Sequence, residues 1–292
     1  MVMHIAPHSQ SMLPGILGRA GPLRTVKAED RMRIEPGCVY VAPPDCHLLV
    51  ERDQLTVLRG PRENRHRPAI DPLFRSAAWA YGPRVIGVVL TGNLDDGTAG
   101  LWAIRSCGGV TVVQEPAEAE YPEMPSNALT HNRVDHRLPL DGIAALMLRL
   151  IDESPGAAPP PPPSSVKDEV EAVKFNSDVR TVARLGALSP FTCPSCRGAL
   201  WELQEGGHLR YRCHTGHAYT LPTLVNDQKE AVEGSLYAAL RALEEKSMAL
   251  RRLAERWPDT LPGVKDDYLR RAGELEDSAE VLRGMLAGNE GR

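Results

Sequence analysis

No stretch of these 292 residues is long and apolar enough to cross a bilayer. The N-terminal MVMHIAPHSQ has neither the basic start nor the long apolar core of a secretory leader. Membrane insertion and export are therefore not expected, and the protein is placed in the cytoplasm. An excess of positive charge is missing too. Lys and Arg number 34 against 38 Asp and Glu, a net charge of −4, which leaves no broad basic surface for nucleic acid. Cysteine is sparse, six in all. Two form a Cys-x-x-Cys pair, which in a reducing compartment suits a metal better than a disulfide.

What is present is organised around residues 85–100, VIGVVLTGNLDDGTAG. The apolar run 85–90 reads as a strand buried on both faces of a parallel sheet. Gly and Asx residues then make a tight loop, and a helix is expected over 98–105. Open α/β sheets bind ligands beyond the carboxyl ends of their strands, so Asp95 and Asp96 are placed for chemistry. They also read as ordinary turn and N-cap residues. His4 would sit just past a strand whose tail is Met1-Val2-Met3, although a lone histidine near an N-terminus says little by itself. Helices are expected at 11–20, 71–81 and 141–152, with another beginning after Tyr121. Strands are expected at 38–44 and 109–114, with a hairpin over 47–58. The arginine-rich loop 60–68 reads as a solvated loop or as a binder of acidic or amide groups. Strands alternating with helices imply a doubly wound α/β fold with a mostly parallel sheet.

These landmarks resemble the catalytic domain of the chemotaxis protein-glutamate methylesterase (CheB) family. The matching pieces are His4-Ile5-Ala6-Pro7, Pro36-Gly37 with Val39-Tyr40-Val41-Ala42-Pro43-Pro44-Asp45, Asn64-Arg65-His66-Arg67-Pro68 with Asp71, Leu90-Thr91-Gly92 with Asp96-Gly97, Gly108-Gly109 and Met124-Pro125. They cover roughly residues 1–150, in the family's order. The resemblance implies Ser-His-Asp hydrolysis of glutamyl methyl esters on chemoreceptor-like proteins, with glutamine deamidation as a second activity. By position His4 matches the family histidine and Asp96 the aspartate. Gly92 and Asn93 lie where the family's methionine amide helps to hold the oxyanion. Asn93 replaces that methionine, a change a backbone amide tolerates.

The family's serine lies on a Gly-x-Ser-x-Gly-Gly turn ahead of the histidine, and no such turn occurs in this sequence. Ser9 and Ser11 fall where the helix after His4 should start and read as cap residues. A start cut short, with the first strand missing from the sheet, is the expectation. A non-catalytic module that binds a receptor or signalling partner is the alternative. Nothing resembles the receiver domain usually fused ahead of the esterase.

Residues 1–152 are thus expected to form the methylesterase domain and 153–189 a linker, marked by the proline run 159–163, with a short helix at 167–174. Residues 190–220 read as a zinc ribbon. Cys193, Cys196 and Cys213 supply three thiolates, and His217, rather than the cramped His214, the fourth ligand. Around a Gly206-Gly207 turn this ribbon should have two strands. Redox use of Cys-x-x-Cys lacks a thioredoxin-like setting. Arg197, Arg210 and Arg212 give nucleic-acid binding slight support, which Glu202, Glu205 and the acidic helices outweigh. Residues 221–287 read as a helical hairpin broken at Trp257-Pro258, with apolar stripes that suit self-packing, a homodimer or a partner.

Overall fold

The structure, a computed structural model, describes residues 1–9, 11–153, 162–174, 179–205, 207–256 and 262–288. In chain order the elements are α1 Leu13–Ala20, β1 Arg24–Lys27, β2 Cys38–Val41, β3 His47–Glu51, β4 Gln54–Leu58, α2 Ile70–Tyr81, β5 Ile86–Val89, α3 Thr98–Ser106, β6 Val110–Gln114 and α4 Glu123–His131. There follow β7 His136–Leu138, α5 Leu140–Asp152, α6 Ser164–Val173, α7 Val179–Leu185, β8 Ala187–Thr192, β9 Ala199–Glu205, β10 His208–Cys213, β11 Ala218–Thr220, α8 Leu221–Arg256 and α9 Pro262–Ala287.

The first half has the expected α/β architecture. Its parallel strands form two sheets, β1–β2 and β5–β6–β7, with Val88 opposite Val112 and Val112 opposite His136. Successive side chains of a strand point to opposite faces, and β6 uses both. Val112 packs with Ile143 and Leu146 of α5. Val113 packs with Val89, Leu101 of α3, and Met124 and Ala128 of α4. Helices thus cover both faces, which is why a continuous valine run suits this strand. The antiparallel hairpin β3–β4 closes a neighbouring core of Ala28, Ala42, Leu48 and Leu55.

Three expectations need correction. Neither Ser9 nor Ser11 caps α1. Met12 is the N-cap without a side-chain bond, and the Ser9 hydroxyl donates to the Ala6 carbonyl at 2.7 Å. The ribbon has four antiparallel strands, in the order β11-β10-β9-β8, rather than two. Its core holds Cys193, Leu200, Tyr211, Cys213, Tyr219 and Leu224. The stretch 153–189 carries a packed helix: Val166, Val170, Ala172 and Val173 of α6 are buried, Val166 among Ala78, Ile104 and Cys107. Residues 154–161, most of the proline run, lie outside the described residues, as do Gly206 and Trp257-Pro258.

The chain forms two compact units, residues 1–224 and 225–292. Within the second unit α8 and α9 run antiparallel. Arg251 Nη2 and Glu276 Oε2 lie 2.7 Å apart, and Arg283 Nη2 and Glu244 Oε1 2.6 Å. Leu250, Ala254, Ala272 and Ala279 are buried there. No helix among the described residues is long and apolar enough to cross a membrane.

Candidate active site and metal centre

The loop after β5 is strapped to the start of α4. Gly92 N donates to Tyr121 O at 2.9 Å, and Met124 N donates to Gly92 O at 2.8 Å. Leu94 N donates to Glu123 Oε2 at 2.7 Å. A Cβ at Gly92 would overlap Met124 Sδ, so a larger residue there must displace the Met124 side chain. Asn93 lies on this loop, three residues ahead of Asp96.

Asp96 is 1% exposed and accepts four hydrogen bonds. Its Oδ2 lies 2.7 Å from His4 Nε2 and accepts from the Ile70 amide at 2.7 Å. Its Oδ1 accepts from Asn64 Nδ2 and the Asp71 amide, both at 3.2 Å. Burial alone would raise its pKa. The His4 ring and the Ile70 amide outweigh that and hold the carboxyl well below the usual range. With Asp96 ionised, His4 Nε2 carries the proton and Nδ1 is left as the ring's basic nitrogen. Of the acidic pair, only Asp96 holds His4. Asp95 is buried, and burial raises its pKa.

Three further residues complete the cluster. Glu63 and His66 exchange backbone bonds of 3.2 and 2.9 Å around a tight turn whose central residues, Asn64 and Arg65, have φ of 49° and 70°. This two-residue turn puts the Asn64 amide between Asp96 and Asp71, the latter at 2.9 Å. It also lays the His66 ring on His4, with centroids 3.8 Å apart and planes 6° from parallel. Burial first, and then the His4 charge, lower the His66 pKa to about 4. Asp71 receives the Gly97 and Gly100 amides at 3.0 and 2.7 Å, so it fixes the start of α3. Burial and neighbouring Asp96 raise its pKa to about 7. Residues 64, 66 and 71 stand out in the sequence only as family landmarks. A donor-bearing side chain at a turn that needs φ > 0 is the signal that could have singled out Asn64.

Behind the turn lies a charged cluster that sequence reasoning missed. Glu63 and Glu169, both fully buried, face Arg75, Arg210 and Arg212, at most 2% exposed. Arg212 Nη2 bonds Glu63 Oε1 at 2.8 Å and Glu169 Oε2 at 2.9 Å. Glu63 also pairs with Arg75. Burial would raise both carboxyls, but the guanidiniums hold them down. Arg210 and Arg212 are thus interior residues and offer nothing to a nucleic acid.

At one end of the ribbon, Cys193, Cys196, Cys213 and His217 place one ligand atom each within 4.8 Å of one another. Cys196 Sγ and Cys213 Sγ lie 3.7 Å apart, and Cys213 Sγ lies 3.5 Å from His217 Nδ1. His214 is not among the four. Three thiols and one imidazole nitrogen form a donor set that fits a tetrahedral metal.

An α/β domain with an imidazole held by a buried carboxylate beyond its parallel strands is built like the base half of a Ser-His-Asp hydrolase. Residues 1–147 match the CheB methylesterase family, and the chain belongs to it. A putative protein-glutamate methylesterase/protein-glutamine glutaminase of Leptospira interrogans is 42% identical over 151 residues, 51% of this chain and 78% of that protein. Protein-glutamate methylesterase FrzG of Myxococcus xanthus is 37% identical over 150 residues, and protein-glutamate methylesterase/protein-glutamine glutaminase 4 of Anaeromyxobacter dehalogenans 43% over 134. The matches cover 45% and 38% of those two proteins and 51% and 44% of this chain. The crystal structure of the Thermotoga maritima CheB methylesterase catalytic domain is 29% identical, with a TM-score of 0.49, over 51% of this chain and 81% of that one.

Proposed function

We propose that this protein is a cytoplasmic protein-glutamate methylesterase acting on methylated chemoreceptors, with glutamine deamidation as a second activity. The observation that carries the reading is the 2.7 Å bond between His4 Nε2 and the buried, four-donor Asp96 carboxylate. In this chemistry His4 Nδ1 takes the proton of a serine hydroxyl as its oxygen attacks the ester carbonyl. Asp96 fixes the tautomer and stabilises the imidazolium. The amide of Asn93 is assigned to the developing oxyanion, with Gly92, whose own amide donates to Tyr121 O, shaping the loop that presents it. His4 then returns the proton to the departing methanol, or to ammonia when the substrate is an amide. Water repeats the cycle on the acyl-enzyme.

The serine must come from the Gly-x-Ser-x-Gly-Gly turn that stands ahead of the histidine in the family. The test looks for it directly: the protein is isolated from its host, labelled with a serine-directed fluorophosphonate and digested. The expected result is one labelled peptide carrying that turn. A host protein that begins at Met1 and takes no label would overturn the esterase reading in favour of a receptor-binding module.

Cys193, Cys196, Cys213 and His217 are proposed to hold one structural Zn²⁺. Four protein ligands leave no open position for substrate or water. Metal analysis should find one zinc per chain, and Cys196→Ser together with Cys213→Ser should abolish it. Full zinc content in that double variant would contradict the assignment.

A further inference from the structure

We infer that the ribbon is a positioning device for the His4–Asp96 pair, acting through the turn Glu63–His66, with Asn64 and His66 as positioning residues. The inference rests on the reading of His4 and Asp96 as the reacting pair. Its starting point is that one short turn has two sets of partners. On its inner side, Asn64 Nδ2 bonds Asp96 Oδ1 and Asp71 Oδ2, and the His66 ring lies flat on His4. On its outer side the turn is stitched to the ribbon. Asn64 N donates to Ala218 O at 2.9 Å, Ala218 N donates to Arg62 O at 3.3 Å, and Glu63 bridges Ala218 in parallel register.

The Glu63 carboxylate adds a second attachment to the same strand pair, through Arg212 of β10. Arg212 also donates from Nη1 to Gly216 O at 2.8 Å, in the turn between Cys213 and His217. That turn is in close contact with the loop that precedes Glu63. A Cβ at Gly216, whose φ is 100°, would meet Pro61 Cγ at 2.7 Å and Ala172 O at 3.0 Å. From the Gly216 turn to the His4 ring the chain of bonded or touching groups is therefore unbroken. It runs through Pro61, Arg62, Ala218, Glu63, Asn64 and Asp96.

The consequence is specific. Asn64 has a backbone that asparagine and glycine tolerate, and its conformation is held from the ribbon side. If the ribbon shifts, the Asn64 donor and the His66 ring shift with it. The electrostatic setting of His4 then changes, because a neighbouring donor and a stacked ring both bear on an imidazole. The charged and titratable groups that bear on His4 and its stacked neighbour are Asp96 from the loop after β5, and His66, Arg65 and Arg62 from the turn; Asp71 of α2 bears on Asp96. The ribbon alters them through the turn's geometry, not by adding a charge of its own at the site.

The test uses the full chain and needs no substrate. The His4 ring is followed by NMR across a pH titration, and amide exchange is followed at Ile70, Val89 and Val113. One variant is Gly216→Val, which forces the ribbon turn off Pro61. The other is Asn64→Gly, which keeps the backbone conformation and removes only the side-chain donor. In both, the His4 midpoint is expected to move by about half a pH unit or more. Exchange at Ile70 should quicken roughly tenfold, while Val89 and Val113 in the sheet keep their protection. An unmoved His4 midpoint in Asn64→Gly overturns the inference whether or not Gly216→Val folds. So does an unmoved midpoint in a folded Gly216→Val protein whose ribbon amides have lost protection. A shifted His4 in a protein that hydrolyses no ester leaves the coupling standing and removes the esterase reading. Unchanged His4 with intact hydrolysis does the reverse.

Discussion

Asp96 is the residue on which the proposed chemistry turns, and its surroundings say what its loss should do. Asp96→Asn replaces an acceptor of four donors by an amide that can accept at only one atom. The His4 tautomer is no longer enforced, so kcat should fall on the order of 10⁴-fold with KM little changed. A steady-state assay of the host protein reads both constants. His66 gives a stability prediction with a definite sign. Its pKa falls from 6.5 to about 4 on folding, chiefly through burial, so the folded state favours the neutral ring. The stability this contributes is full above pH 6.5 and is lost as pH falls through about 4. His208, also lowered to about 4 by burial, acts in the same direction. Urea midpoints measured from about pH 7 to about pH 4 should therefore decline, and His66→Gln should decline less steeply. An identical slope in the variant would remove His66 from the account.

The elements differ in how plainly the sequence announces them. β5, β6, α2 and α5 follow from long apolar patterns, because a strand covered on both faces, or a helix covered on one, must be apolar at those positions. The short strands β1, β7 and β11, of four, three and three residues, are set by partners distant in sequence and have no period of their own. The ribbon's outer strand β8 has six residues, but its pairing with β9 is irregular between Leu188 and Thr192, so it shows no clean alternation. Within the candidate site, His4 and Asp96 are legible from the family motif. The part that Asn64 plays depends on a turn conformation and a tertiary neighbour, and neither is written locally. The buried charges were least legible. Arginines and glutamates normally read as surface, and only the packing of α6 against α2, with β10 joined to both through Glu63 and Glu169, puts Glu63, Glu169, Arg75, Arg210 and Arg212 together. Glu169→Gln would leave three buried guanidiniums facing one carboxylate. It should destabilise the first unit by about 3–5 kcal/mol, read as a shift of its urea transition.

At the scale of the whole molecule, the cluster explains why residues 1–224 hold together as one unit. The ribbon does not hang from a spacer. α6 covers part of the α/β core, and β10 and β11 are bonded to the loop beside the candidate site. A chain cut after residue 152 would keep the Glu63–Arg75 pair but leave Glu63 without Arg210 and Arg212, and Arg75 without Glu169. It should therefore be markedly less stable than the full chain, a comparison that thermal unfolding makes directly. Equal melting temperatures for the two would contradict a single unit.

The central claim is that His4 and Asp96 are the base and its orienting acid in ester hydrolysis. The most direct measurement is methanol release from a methyl-esterified chemoreceptor by the protein isolated from its host, alongside its His4→Ala variant. The account predicts steady release by the host protein and loss of nearly all of it in His4→Ala. Release that survives His4→Ala, or none from the host protein itself, would contradict it.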